Sequence, residues 1–490
     1  MKRIPSLVAR LALLTVMTMT PALASTTSSG EPFHLQRYTL PNGLRVWLQP
    51  RTDSQSVTAL FVIGAGSRYE TPANNGISHF VEHMLFAGSE RWSEEEIKDM
   101  ITRRGGKWNG WTGTEATTYY AEVAASDLDL ALDWLAQVVF HPTFRPDKVE
   151  NERRIIFQER WGRYGWLINT LDSLGFGYEL DRDVRRALFP GSALGLRIVG
   201  EDASLDSLDR AALMSYYQSH YTPENAVLVM VGNVAPALAL EQIEARLGVL
   251  ERQGKPALPA LPQAANNGPH HVVVRGPHLT DQQRLMVGAQ TVGQRHPDRW
   301  ALDVLAEVLG QDLMREIRYR QGLVYGVGAH NVTFDDVGYF AVSTTFGSGN
   351  RDKIMSAIEA HIESIRRGSV DAARVAEAKA ALKGRWALAM EDSWARAGWL
   401  ADWALVLRDD EPVPDYEAAI GAVTAGDLAR VVNVYFIPAQ SYVGEHQPTV
   451  TVARGTAIVG VTVGLGFAAW IGRKVWRRRT RRKPDGSVGA

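Results

Sequence analysis

The chain has 490 residues, with 54 acidic against 53 basic side chains, 45% apolar residues and no cysteine. That length points to about two to four structural units around a large core, and a formal net charge of -1 gives no basic excess to hold nucleic acid. Without cysteine there are no disulfides, thiolate nucleophiles or Cys-ligated metal sites, so any catalysis or metal binding rests on His, Asp and Glu.

The N-terminus carries Lys2, Arg3 and Arg10, an apolar run from Leu11 to Met17, and Ala22-Leu23-Ala24 before Ser25. A basic start, an apolar block and a small-x-small exit predict a signal peptide over residues 1–24, cleaved after Ala24. The body then divides at a Pro, Gly and Asn stretch, 252–271, which reads as a linker between residues 35–250 and 272–447. Each half opens on strand-like runs, Arg45 to Leu48 and Val57 to Ile63 in the first, Val272 to Arg275 and Arg284 to Val287 in the second. Amphipathic helices follow, Gly76 to Phe86 and Arg299 to Leu309. This order predicts an α+β fold of two homologous-looking domains, each a mostly antiparallel sheet covered by helices. Residues 226–231, Ala-Val-Leu-Val-Met-Val, read as a central strand buried on both faces and ended by Gly232-Asn233.

The chemistry is concentrated in Ile77-Ser78-His79-Phe80-Val81-Glu82-His83. On a helix, residues four apart share a face, so His79 and His83 can meet one Zn²⁺ while Glu82 borders the same spot. Two neutral imidazoles leave the ion its positive charge, which acidifies a bound water, and a carboxylate beside it can take the proton. A third ligand is expected from a carboxylate on a helix spanning Lys148 to Arg160, where Glu152 and Glu159 lie two turns apart on one face. Spacing leaves the choice between them open, and leaves open too a salt-bridged surface helix with no metal role.

His79-x-x-Glu82-His83 resembles the inverted zinc motif of the insulinase and pitrilysin metallopeptidases, a family that includes the processing peptidases. The resemblance spans roughly residues 35–440. It takes in Leu40-Pro-Asn-Gly-Leu44, Gly76 to Phe86, Gly106-Lys-Trp-Asn-Gly-Trp-Thr to Tyr119, and Tyr217 to Gly232. It implies one zinc ion per chain held by His79, His83 and Glu159, with Glu152 supporting the site from behind and Glu82 as the catalytic base. It further implies that Arg318 and Tyr325, seven apart in the second half, bind substrate and act in catalysis, and that Asn109, Gly110 and Trp111 form a substrate-binding strand. Gly110 and Trp111 depart from the family's more usual alanine and its small or phenylalanine neighbour.

Near the C-terminus, residues 455–472 carry no charge and precede Arg473, Lys474, Arg477, Arg478, Arg479, Arg481, Arg482 and Lys483. This predicts a transmembrane helix over 455–472 and a basic cytoplasmic tail over 473–490. With the signal, it predicts a single-pass protein of a bacterial inner membrane, its catalytic body in the periplasm and its C-terminus cytoplasmic. The expected function is a zinc endopeptidase acting on extended or unfolded peptides, working as a homodimer or a heterodimer with a paralogue. The alternative is a non-catalytic scaffold or peptide-binding subunit of the same fold.

Overall fold

The computed structural model describes residues 34–161, 179–261, 270–276, 281–347, 349–449 and 452–480. The expected signal over 1–24, part of the expected linker (262–269) and the last ten residues of the expected tail lie outside the described residues. In the first half, β1 (Gln36–Thr39), β2 (Arg45–Pro50), β3 (Ser56–Ile63), β4 (Lys107–Thr112), β5 (Thr117–Ala124) and β6 (Ala226–Gly232) form a sheet in the order β1-β2-β6-β3-β5-β4. In the second, β7 (His270–Gly276), β8 (Gln282–Val292), β9 (Val324–Thr333), β10 (Val337–Gly347) and β11 (Ser441–Pro448) are ordered β7-β11-β8-β10-β9. The pairs β2·β6 and β7·β11 are parallel, and the other neighbours are antiparallel. Two helix-covered sheets are therefore present, as the alternation of strand and helix patterns predicts, and each is mixed through its one parallel pair rather than wholly antiparallel.

The run 226–231 forms β6, wedged between β2 and β3 and buried throughout. Its alternate side chains enter two different cores, because successive residues of a strand face opposite sides. Ala226, Leu228 and Met230 join the core under α1 (Ile77–Phe86), α2 (Glu94–Met100) and α3 (Leu128–Phe140). Val227, Val229 and Val231 join Trp47, Leu60 and Val62 on the other face, against Ala397, Leu400 and Trp403 of the helix Ser393–Ala404. That helix comes from the second half. Reciprocally, the helix Leu180–Leu188 of the first half lays Leu180, Val184 and Leu188 on Met286, Tyr339 and Tyr442 of the second sheet. Each sheet thus has one face covered by the other half's helix.

A buried guanidinium reinforces this exchange. Arg68 bonds Glu115, in the turn between β4 and β5, and both carboxylate oxygens of Asp336, in the turn between β9 and β10, at 2.8 and 2.7 Å. Glu115 also accepts the Asp335 backbone N–H at 2.9 Å, so the tips of the two hairpins are tied together.

The expected membrane crossing over 455–472 requires correction. A helix does form, Val452–Thr480, but among the described residues no helix is long and apolar enough to cross a membrane. The helix also runs on without a break from that stretch into the basic segment. The membrane partner falls with this correction, as does the inner-membrane topology of periplasmic body and cytoplasmic C-terminus.

The exchanged helices make a stability prediction. Trp403 is 2% exposed within the cluster that holds Trp47 and Leu60, so Trp403→Ala should lower the unfolding free energy by about 3–5 kcal/mol in urea titration. A loss below about 1 kcal/mol would mean that the helix is not part of the core that holds the halves together.

Candidate metal centre

The site is built on α1. Ile77, Phe80, Val81, Met84 and Leu85 recur at helical spacing and are buried in the first core, which turns His79, Glu82 and His83 toward other partners. The partner for the histidines is α4 (Pro146–Trp161), whose Val149, Glu152 and Ile156 are buried while Glu159 remains half-exposed. His83 Nε2 lies 3.4 Å and His79 Nε2 3.7 Å from Glu159 Oε2. Behind them His83 Nδ1 meets Glu152 Oε2 at 3.1 Å, which leaves Nε2 directed at Glu159. The imidazole rings lie 4.7 Å apart, and His79, His83 and Glu159 each offer one donor atom within 4.8 Å of the others.

This donor set fits zinc. Tetrahedral coordination at about 2.0–2.1 Å spaces neighbouring ligand atoms by roughly 3.3–3.4 Å, near the separations of both histidines from Glu159. Two nitrogens and one oxygen also leave a fourth position for water or substrate, the arrangement of a catalytic site rather than a closed structural one. The electrostatics agree. Burial pushes His79 down to about 4, helped by the charge of His83. Burial also acts to lower His83, but hydrogen bonds to Glu152 and Glu159 outweigh it and hold that imidazole up at about 9. The His83 bond draws the Glu159 carboxyl below its ordinary range. His79 is therefore neutral near pH 7 with a lone pair to offer, while the charge on His83 is balanced by Glu152 and Glu159.

Glu82 lies on the same turn and is buried, which pushes its carboxyl up, while a 2.6 Å hydrogen bond from the Thr112 hydroxyl acts the other way. Thr112 ends β4, the last strand of the first sheet, whose outer edge has no neighbour among the described residues. Asn109 is exposed on β4, and Trp111, 40% exposed, packs beside Tyr120 and Trp394. Gly110 is buried where an added Cβ would come within 2.9 Å of the Phe86 ring, a physical reason for glycine in place of the alanine that the resemblance leads one to expect.

Arg318 and Tyr325 meet each other. Arg318 lies in a π-helical turn, Met314–Arg320, with its guanidinium 4.6 Å from the centre of the Tyr325 ring. Tyr325 is 87% exposed at the start of β9 and borders a groove of about 860 Å³ with Asp181, Arg182, Arg284 and His330; no metal-site residue lines it.

Two residues escaped the sequence reasoning. Thr112 is one; Glu70 is the other. Glu70 is buried, its carboxyl pushed up by burial, and it accepts the backbone N–H groups of Gly76 at 2.8 Å and Ser78 at 3.0 Å together with Asn75 Nδ2 at 2.8 Å. It caps α1 from outside the helix. Gly76 at the N-cap has φ +93, and a Cβ there would come within 2.7 Å of Gly200 Cα, so the usual Ser, Thr or Asp cap has no room. A glycine where a capping side chain is expected was the available signal.

Residues 45–162 match the family described as insulinase, peptidase family M16, and residues 207–382 match the peptidase M16 inactive domain. A protein named as an uncharacterized zinc protease of Mycobacterium leprae is 32% identical over 365 residues, covering 73% of this chain and 79% of that one. The mitochondrial-processing peptidase subunit beta of Mus musculus is 27% identical over 408 residues, covering 81% of each chain. A protease structure from Helicobacter pylori shares the fold with a TM-score of 0.75 at 23% identity, over 84% of this chain and 99% of that one.

The capping role of Glu70 is testable by melting. Glu70→Ala should cost about 1–3 kcal/mol and lower Tm, with a smaller loss for Glu70→Gln, which keeps one acceptor oxygen. An unchanged Tm in Glu70→Ala would refute the role.

Proposed function

The chain belongs to the insulinase family of peptidases, and from that premise we propose that it is a zinc-dependent endopeptidase hydrolysing extended or unfolded peptide segments. The observation that carries the reading is the convergence of His79, His83 and Glu159 beside the buried carboxylate of Glu82. In this reading both imidazoles and Glu159 hold one Zn²⁺ per chain, and Glu152 keeps the His83 ring turned toward it. When bound, zinc polarises the scissile carbonyl and makes a water acidic near neutral pH.

The rest of the chemistry belongs to side chains of this protein. Glu82 accepts a proton from the attacking water as its oxygen adds to the carbonyl carbon, and delivers that proton to the amine nitrogen as the C–N bond breaks. With one carboxylate oxygen engaged by Thr112, the other is left to carry the proton. The outer edge of β4, through Asn109, Gly110 and Trp111, receives the substrate as an added strand, so main-chain hydrogen bonds hold the peptide and side-chain pockets read it. Only a segment able to become extended pairs in this way, which selects unfolded or flexible substrates. The Arg318 guanidinium and Tyr325 phenol steady the carbonyl oxygen as it gains negative charge.

The groove beside Tyr325 is lined by none of His79, His83 and Glu159. This supports a site completed between two chains, with His79 of one copy facing Arg318 and Tyr325 of a second copy or of a paralogue. The relative from Mus musculus is itself named as a subunit.

Glu82→Gln should retain zinc by metal analysis and lose about 10²–10⁴-fold in kcat on a flexible peptide. His79→Ala should lose the metal. Near-normal turnover by zinc-loaded Glu82→Gln protein would sink the assignment of the base. The shared site is tested by mixing: Glu82→Gln and Arg318→Ala proteins, each inactive alone, should recover activity together if the halves of the site come from different chains. A fully active wild-type protein of monomer size, with no recovery on mixing, would retire the shared site.

A further inference from the structure

Every second residue of β4 faces α1. The Trp108 ring lies 5.1 Å from the Phe86 ring, Gly110 makes room for Phe86, and Thr112 reaches Glu82. The first two contacts are packing; the third joins a strand to a carboxylate. Thr112 Oγ1 donates to Glu82 Oε2 at 2.6 Å, and the hydroxyl is free to do so because its neighbour Thr117 Oγ1 has its own acceptor, the Ala65 carbonyl oxygen, at 2.8 Å. Thr117 Oγ1 also lies 3.4 Å from Thr112 Oγ1 on the donor side, so it does not compete for the Thr112 proton.

We infer that Thr112 is a positioning residue for Glu82, fixing the carboxylate by one oxygen and linking its orientation to the edge strand that receives the peptide. The inference rests on the reading of Glu82 as the base and of β4 as the docking edge. The terminal torsion of a glutamate is broad, so an unheld carboxylate samples many orientations about its last bond. One short hydrogen bond from a residue fixed in a strand removes that freedom while leaving the second oxygen unengaged. Because Thr112 is the last residue of β4, three positions after Asn109, a peptide pairing along the outer edge settles the same segment of backbone that carries the hydroxyl. Docking register and base orientation therefore meet at one residue, and a peptide that fails to pair leaves the strand end, and with it the base, less well held.

The test compares Thr112→Val, which keeps the shape and removes the donor, with Thr112→Ser, which keeps the donor, in the full-length zinc-loaded protein acting on a flexible peptide. Thr112→Val should lose about 10- to 100-fold in kcat with KM within about 3-fold of wild type and zinc content unchanged, whereas Thr112→Ser should stay within about 3-fold in both constants. Crystal structures supply a readout independent of turnover: the Glu82 carboxylate should rotate away from its present position in Thr112→Val and keep it in Thr112→Ser. Thr112→Ala replaces the valine variant should that one fail to fold. Wild-type kcat in the valine or alanine variant, an equal loss in the serine variant, or an unmoved Glu82 would each overturn the inference. The parent reading fails separately: full turnover by Glu82→Gln removes the base itself, whereas an inactive Glu82→Gln beside a normal Thr112→Val removes only the role of Thr112.

Discussion

Everything at the candidate centre depends on the seam between α1 and α4. The apolar stripe of α1 is committed to the sheet, so the angle at which its opposite face meets α4 is set by core packing rather than by the polar groups themselves. Glu152 is held in that seam, with Val149 and Ile156 buried on either side of it in sequence, and it is this placement that aims His83. Two imidazoles and two carboxylates in a largely dry environment interact more strongly than they do in water, but such a cluster is stable only when each charge has a partner. Glu152 and Glu159 partner the two ring nitrogens of His83, His79 Nε2 faces Glu159 as well, and the half-exposed Glu159 stands on the solvent side of the cluster.

The second constraint acts between the halves. A sheet with one face bare would expose Trp47, Leu60, Val62 and the outward residues of β6, a patch large enough to drive association. The helix Ser393–Ala404 covers it, and Leu180–Leu188 does the same for the second sheet, so neither half has a complete core alone. Hydrophobic exchange of this kind sets distance well and rotation poorly. The Arg68, Glu115 and Asp336 junction supplies the directional element, since a planar guanidinium bound to carboxylates from both hairpins fixes their relative orientation. Those hairpins contain β4 and β9, the strands that carry Asn109 to Thr112 and Tyr325.

What could be read in the sequence was local and periodic. His79, Glu82 and His83 lie within two helical turns, the Glu152 and Glu159 pair within three, and the two-faced burial of β6 follows from an unbroken apolar run. What escaped is a matter of long-range geometry. The Thr112 hydroxyl meets Glu82 across thirty residues of chain, and a threonine at a strand end carries no periodic signal. Glu70 caps a helix whose own N-cap is glycine, so the local capping pattern points nowhere. The helix exchange pairs Trp403 with Trp47, and nothing in either stretch announces a partner so distant. The C-terminal helix shows the opposite error: a charge-free run followed by basic residues reads as a span, yet among the described residues no helix is long and apolar enough to cross a membrane.

The two sheets repeat one pattern, and the comparison explains how one half can lack the histidine cluster of the other. Strands β2, β6, β3, β5 and β4 pair in the same sequence of parallel and antiparallel contacts as β7, β11, β8, β10 and β9. By that correspondence the counterpart of α1 is the helix Asp298–Leu313, which follows β8 as α1 follows β3. It buries Ala301, Leu302, Leu305, Val308 and Leu309 just as α1 buries its own stripe, so the packing that holds each helix on its sheet is conserved in kind. Its polar positions differ. Asp303 accepts a hydrogen bond from Asn331 and Glu307 pairs with Arg385, arrangements that satisfy charge without histidines and without converging on a common point. Core packing and polar clusters thus occupy opposite faces of equivalent helices. A substitution on the polar face leaves the apolar contacts untouched, which frees the second half to present Arg318 and Tyr325 while the first retains the histidines.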